Sequence, residues 1–222
     1  MAEQVADGPR RGRKPTPRTW VWVLVGVLLA GAAVTAVWWK PWQQSVRLPQ
    51  SACWGTLGPD DYRVLAGRDG TATLRTDYTI SGPYPGDNPN RECFLVWNDG
   101  RKAMLDVRIV SSPDASEVEA FGGRPATSVD FGADGRGWIS SGDGPVGVYL
   151  YLTCDYRQVA SKRETADPGF AIRAATNPAL SAAPIGEVRQ ALVGITLKLA
   201  KGVARQMPCA NSPRLVDRPP QL

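Results

Sequence analysis

Residues 19–39 (TWVWVLVGVLLAGAAVTAVWW) run for 21 positions without a charge. At about 1.5 Å of rise per residue, a helix of that length matches a hydrocarbon core of about 30 Å, so the segment reads as a transmembrane helix. Beyond it the pattern changes to alternation. Over residues 73–80, Leu74, Thr76, Tyr78 and Ile80 alternate with Thr73, Arg75, Asp77 and Thr79, the period of a strand with one wet face. Residues 93–97 make a second strand, Asn98-Asp99-Gly100 a hairpin turn, and residues 102–110 the return strand. That return strand puts Ala103, Leu105, Val107 and Ile109 on one face. Short strands at 129–131 and 137–139 flank the turn Gly132-Ala133-Asp134-Gly135. Residues 146–154 (VGVYLYLTC) are the most apolar run and read as a central strand covered on both faces, and residues 170–174 read as another strand.

Helical signals stand at both ends of this series. Gly58-Pro59-Asp60-Asp61 places acidic residues where a helix starts, and Tyr62, Leu65 and Ala66 follow at helical spacing. A long Pro/Gly-rich loop is predicted over 81–92 and a short helix over 113–121. After Pro184, apolar residues fall at Ile185, Val188, Leu192, Ile195, Leu199 and Val203, opposite Glu187, Gln190, Lys198, Lys201 and Arg205. That is a one-stripe amphipathic helix of about six turns, ending before Pro208-Cys209, and it needs a sheet to cover. The fold class is therefore α+β: an antiparallel sheet covered by a long C-terminal helix. A β-sandwich is the alternative and leaves this helix unexplained. The organisation is a disordered basic tail (1–18), the membrane helix (19–39), a stalk (40–52), the α+β domain (53–210) and a flexible tail (211–222) holding Pro213, Pro219 and Pro220.

Charge fixes the orientation. Of 26 basic and 21 acidic residues, six and two fall within residues 1–40, so the +5 of the whole chain falls to +1 in the remainder. Arg10, Arg11, Arg13, Lys14 and Arg18 precede the apolar segment, against Lys40 and Arg47 after it. The positive-inside rule places the N-terminus in the cytoplasm and the C-terminal domain outside. Trp20 and Trp22 at one end, and Trp38, Trp39 and Trp42 at the other, form an aromatic belt at the two interfaces. The competing reading is a signal peptide cleaved after Ala36, against which stand the length of the run and the second Trp cluster. Gly26/Ala30 and Gly31/Thr35 are small-xxx-small pairs through which two membrane helices, and hence a homodimer, can approach closely; such residues are also ordinary in membrane helices. A nucleic-acid partner is not expected, because the basic residues serve topology and leave no basic stripe on the domain.

Cysteine usage agrees with an oxidising compartment. Cys53, Cys93, Cys154 and Cys209 are separated by 40, 61 and 55 residues, without the C-x-x-C of a zinc ribbon or redox motif. An even number outside the membrane reads as two disulfides, each contributing on the order of 3–4 kcal/mol. Three pairings are open. Cys53 with Cys93 and Cys154 with Cys209 is favoured, because it pins each end of the domain to a central strand. Free buried thiols are the alternative.

The chain holds no histidine, which excludes Ser-His-Asp and Cys-His catalysis, His-ligated zinc and His-based pH sensing. It has no G-x-S-x-G, no S-x-x-K and no phosphate loop, and no cofactor or metal is expected. Asp130, Asp134-Gly135 and Asp143-Gly144 carry oxygen donors suited to calcium, but their spacing is not that of an EF-hand and Asp-Gly is an ordinary turn pair. Asp60/Asp61 and Glu117/Glu119 are carboxylate pairs, though sequence adjacency does not put two carboxylates across a substrate. Trp54, Tyr62, Tyr84, Trp97, Trp138, Tyr149 and Tyr151 supply the aromatic area for a stacking platform, or simply for a core. Tyr84, in the 81–92 loop, is the one expected at the surface.

Cys53-Trp54-Gly55-x-Leu57 ahead of a short helix, with a final helix closing on Cys209, resembles uncharacterised single-pass membrane proteins and lipoproteins of streptomycete-type actinobacteria with a four-cysteine extracytoplasmic domain. The resemblance is loose, spans residues 53–209, and implies a cell-surface location without an activity. The leading expectation is an anchored extracytoplasmic interaction module, not an enzyme, with the lipid bilayer and an envelope protein or cell-wall component as partners. A His-independent envelope hydrolase using carboxylates, and an accessory subunit acting through its membrane helix, are the alternatives.

Overall fold

The computed structural model describes residues 21, 25–31, 45–77, 79–80, 90–98, 100, 102–111, 126–140, 144–157, 166–207 and 209–222. The chain divides into two compact units, Met1–Gln43 and Gln44–Leu222. In the first, Val21 and residues 25–31 are helical, and Val27, Leu28 and Leu29 each leave more than half of their surface open. Trp20, Trp22, Trp38, Trp39 and Trp42, and the basic set Arg10, Arg11, Arg13, Lys14 and Arg18, lie outside the described residues. Among the described residues no helix is long and apolar enough to cross a membrane.

The second unit is built on a single eight-stranded sheet. Its strands are β1 (Val46–Arg47), β2 (Gly70–Thr76), β3 (Arg91–Trp97), β4 (Lys102–Ser111), β5 (Ala126–Asp130), β6 (Gly135–Ser140), β7 (Val146–Arg157) and β8 (Ala166–Thr176), in the order β1-β2-β3-β4-β8-β7-β6-β5. All neighbours pair antiparallel except β1 with β2. Local chemistry makes the hairpins: Asn98 (φ +52°) and Gly100 (φ +84°) take the left-handed conformations that return β3 into β4. A one-turn helix α1 (Pro59–Tyr62) starts on Pro59, and the Asp61 carboxylate accepts from the Gly58 N–H at 2.9 Å.

The amphipathic helix α2 (Ile185–Gln206) lies on β7 and β8. Its stripe Val188, Leu192, Ile195, Leu199 and Val203 is buried, whereas Ile185 remains 45% exposed. These residues meet Leu105, Val107, Val148, Leu150, Leu152, Phe170 and Ile172 in one core, and each fully buried side chain contributes about 1.5–3 kcal/mol. The α+β class is thus the observed one. Two disulfides frame the unit, Cys53–Cys93 and Cys154–Cys209, with Cα separations of 5.4 and 5.0 Å. The first ties the segment before α1 to β3; the second ties the chain after α2 to β7.

Four elements differ from the sequence pattern. Residues 45–52, read as stalk, belong to the domain: Val46 and Arg47 add a strand to the β2 edge, Ala52 is buried, and the Pro49 carbonyl accepts a hydrogen bond from Tyr62. The first long strand ends at Thr76 rather than continuing to Ile80 and begins earlier, at Gly70. The run 146–154 is covered by α2 on one face only; on the other it presents Tyr149 and Tyr151. Finally, residues 211–222, read as a frayed tail, are bonded to the fold. The Val216 N–H donates to Phe131 O at 2.9 Å, Gln190 Nε2 to Pro220 O at 2.9 Å, and Lys201 Nζ to Asp217 O at 3.0 Å. Proline cannot donate, but its carbonyl accepts, and this strap uses helix side chains as donors. The predicted helix over 113–121 and most of the predicted loop over 81–92 lie outside the described residues.

Two outcomes follow for stability. Burial, and secondarily the Asp61 charge, raise the Tyr62 phenol above its ordinary 10.0, so folding favours the neutral form. That contribution is complete below pH 10 and is lost as pH rises through the raised pKa; Tyr62→Phe should flatten the alkaline limb of a denaturation series and cost about 1 kcal/mol at pH 8 through the lost hydrogen bond. Truncation after Ser212 removes the strap together with its half-buried Leu215 and Val216, and should lower the stability measured by urea unfolding by about 1–3 kcal/mol.

Candidate functional site

An antiparallel sheet puts successive side chains on opposite faces, so a sheet packed on one side has a second face to account for. Here that face carries a continuous cross-strand row. Register pairs run Ser128, Trp138, Tyr149, Arg173, Arg108 and Glu92 across β5, β6, β7, β8, β4 and β3. A neighbouring row runs Asp130, Arg136, Tyr151, Ala171 and Val110. Tyr151 and Ala171, with the half-buried Trp138 and Tyr149, form a small apolar cluster separate from the main core.

Glycines seat the aromatic rings. A Cβ on Gly147 would lie 3.1 Å from Tyr149 Cε2, and one on Gly169 would lie 2.6 Å from Tyr151 Cζ. Any larger residue at either position would displace a ring, which accounts for glycine inside two long strands. Arg173 stands over the Tyr149 ring, 5.9 Å from its centroid, within cation–π range.

Arg108 and Arg173 face each other across β4 and β8, a like-charge pair that is unfavourable without compensation. Asp106 supplies it, since Arg108 Nε meets Asp106 Oδ1 at 3.3 Å and Arg173 Nη1 meets Asp106 Oδ2 at 3.3 Å. Glu92 adds a longer contact of 3.6 Å to Arg108 Nη1. One carboxylate therefore holds two guanidiniums in fixed positions. Between them lies a cleft of about 150 Å³ lined by Asn90, Arg108, Val110, Tyr149, Ala171 and Arg173. A second cleft of about 180 Å³, which shares Arg173 and is lined also by Asp106, lies beside it.

The residues singled out by sequence go to several places. Trp138, Tyr149 and Tyr151 share this face. Tyr62 and Trp97 are core, Trp54 packs on its margin, and Tyr84 lies outside the described residues. The carboxylates Asp60 and Asp61 do not converge: Asp60 is exposed beside Arg63, and Asp61 caps Gly58 and pairs with Lys198. Asp130 accepts from the Gly132 N–H within its own turn, and Asp134 from the Arg214 N–H at 2.7 Å, which ties the C-terminal segment to the β5–β6 turn. Asp143, Glu117 and Glu119 lie outside the described residues, and among those described no three acidic or cysteine residues gather as metal ligands. Sequence reading passed over Asp106, Arg108 and Arg173. Their signal was present: Arg173 is the one charge within FAIRAA, and Asp106 and Arg108 alternate with Leu105, Val107 and Ile109.

The class these observations define is a two-layer α+β domain with one face of its sheet packed on a helix and the other carrying an aromatic–arginine row. No protein family, curated protein or solved structure matches the chain.

Asp106→Asn leaves the two guanidiniums opposed, with the longer Glu92 contact to Arg108 as the remaining compensation among the described residues. It should lower stability by about 1 kcal/mol, with the deficit shrinking in high salt, as read from unfolding curves at two ionic strengths.

Proposed function

We propose that this protein is a membrane-anchored extracytoplasmic binding module whose recognition surface is the sheet face opposite α2. The anchor rests on residues 19–39, on the basic residues before them and on the exposed apolar side chains of the helical residues 25–31. The two disulfides support an oxidising compartment. The partner is an envelope protein or a cell-wall component.

The observation that carries the reading is the Trp138–Tyr149–Arg173–Arg108 row. Aromatic and arginine side chains dominate binding energy at recognition surfaces, because they combine large apolar area with directed hydrogen bonding. In this row they are held in place beforehand, by Gly147 beside the Tyr149 ring and by Asp106 between the guanidiniums. Pre-positioning removes part of the ordering cost of binding. The absence of histidine from the whole sequence removes the commonest acid–base residue, so the row reads as a binding surface rather than a reaction centre.

A photo-crosslinking amino acid placed at Trp138 or Val110, and in a control at the exposed Glu187 on α2, tests this in cells. Adducts of defined mass should form from the sheet-face positions and not from Glu187, and Tyr149→Ala should diminish them. Equal adducts from both faces, or turnover of a wall-derived substrate by the purified protein, would overturn the reading.

A further inference from the structure

We infer that the cleft between Arg108 and Arg173 receives the free carboxylate of a peptide C-terminus whose last side chain is small and apolar. The inference rests on the sheet face being the recognition surface, and it adds the chemistry of the ligand.

Four features select that chemistry. A guanidinium has five N–H donors; among the described residues Arg173 commits Nη1 to Asp106, and Arg108 commits Nε and Nη1 to Asp106 and Glu92. Donors remain on both, and the buried Arg173 Nε has no hydrogen-bond partner among the described residues. The two side chains are 33% and 43% exposed, so a ligand reaches them without unfolding the strands. Charge at the cleft favours an anion: its described lining holds Arg108 and Arg173 and no carboxylate. An incoming carboxylate also relieves the cross-strand repulsion that Asp106 offsets only in part.

The floor supplies the second half of the argument. Val110, Ala171 and the Tyr149 ring are apolar, which suits a group carrying its own methyl or methylene and disfavours a fully hydrated inorganic anion. A planar carboxylate matches the edge of a guanidinium that lies over a ring, forming two parallel N–H···O bonds. The volume of about 150 Å³ is below the roughly 300 Å³ of a site for a whole drug-sized ligand, so it admits one terminal residue. The remaining residues of such a ligand would run along the row towards Trp138.

Calorimetric titration of the full chain in detergent micelles with N-acetyl-alanyl-alanine, its C-terminal amide and inorganic phosphate tests this. The free acid should bind, with the amide and phosphate each at least about tenfold weaker. Arg173→Met and Arg108→Met should each weaken the free acid by at least about tenfold, and Lys198→Ala, on the helix side, should leave it unchanged. Arg108→Lys keeps the charge without the fork and should also lose affinity, so the proposal stays testable if a methionine variant does not fold. Amide or phosphate binding equal to that of the free acid would overturn the carboxylate assignment. So would the absence of binding by all three up to about 10 mM. Neither result alters adduct formation from Trp138 or Val110, so this failure is distinguishable from failure of the recognition surface itself.

Discussion

An eight-stranded sheet has two faces, and this unit sets one long helix against it. Burial of the α2 stripe on β7 and β8 is the contact on which the rest of the domain depends. It fixes which side of every strand is apolar, and because side chains alternate with period two, it equally fixes which side is not. Leu150 and Tyr149 are neighbours in the chain and lie on opposite faces for that reason alone. The helix then determines where the Trp138–Tyr149–Arg173–Arg108 row can stand, although it touches none of those residues through its buried stripe.

The disulfides act at the ends of this arrangement. Cys53 (φ +44°), Trp54 (φ +61°) and Gly55 (φ +77°) form a left-handed turn closed by the Ala52–Leu57 bridge. Two non-glycine residues in that conformation cost on the order of 1–3 kcal/mol each, which the bond from Cys53 to β3 and the burial of Ala52 and Leu57 offset. At the other end Cys154–Cys209 returns the chain from α2 to β7, and Asn211 continues the attachment by bonding both the Thr153 carbonyl and the Asp155 N–H. From there the strap crosses to the β5–β6 turn before running back along α2. The tail is thus placed by a covalent bond at its root and by backbone hydrogen bonds along its length.

The polar face shows how a like-charge pair becomes a fixed feature. Arg108 and Arg173 come together only because β8 inserts between β4 and β7, joining residues 65 positions apart in sequence. Asp106, two residues from Arg108 on the same strand, is positioned by period-two geometry to lie on the same face, where it reaches both guanidiniums. The tyrosines have a parallel logic: each ring rests over a glycine, Gly147 two residues away on its own strand and Gly169 across the ladder.

The pattern of the chain by itself determined the elements with strong periodicity. The α2 stripe, the β3–β4 hairpin turn and the alternation of β4 are local consequences of side-chain spacing, and each appears where that spacing put it. The favoured cysteine pairing agreed as well, with Cys93 on β3 and Cys154 on β7 as the strand partners. Tertiary structure alone decided three other things. The place of β8 between β4 and β7 depends on long-range pairing, which no local period encodes, and the Arg108–Arg173 cleft exists only through it. The open side of β7 was hidden because an apolar run of Val, Leu and Tyr reads alike whether one face or two are covered. The strap at 211–222 looked like a tail because proline-rich chain has few donors of its own; its partners sit on the β5–β6 turn and on α2, and become visible only when those elements are folded beside it.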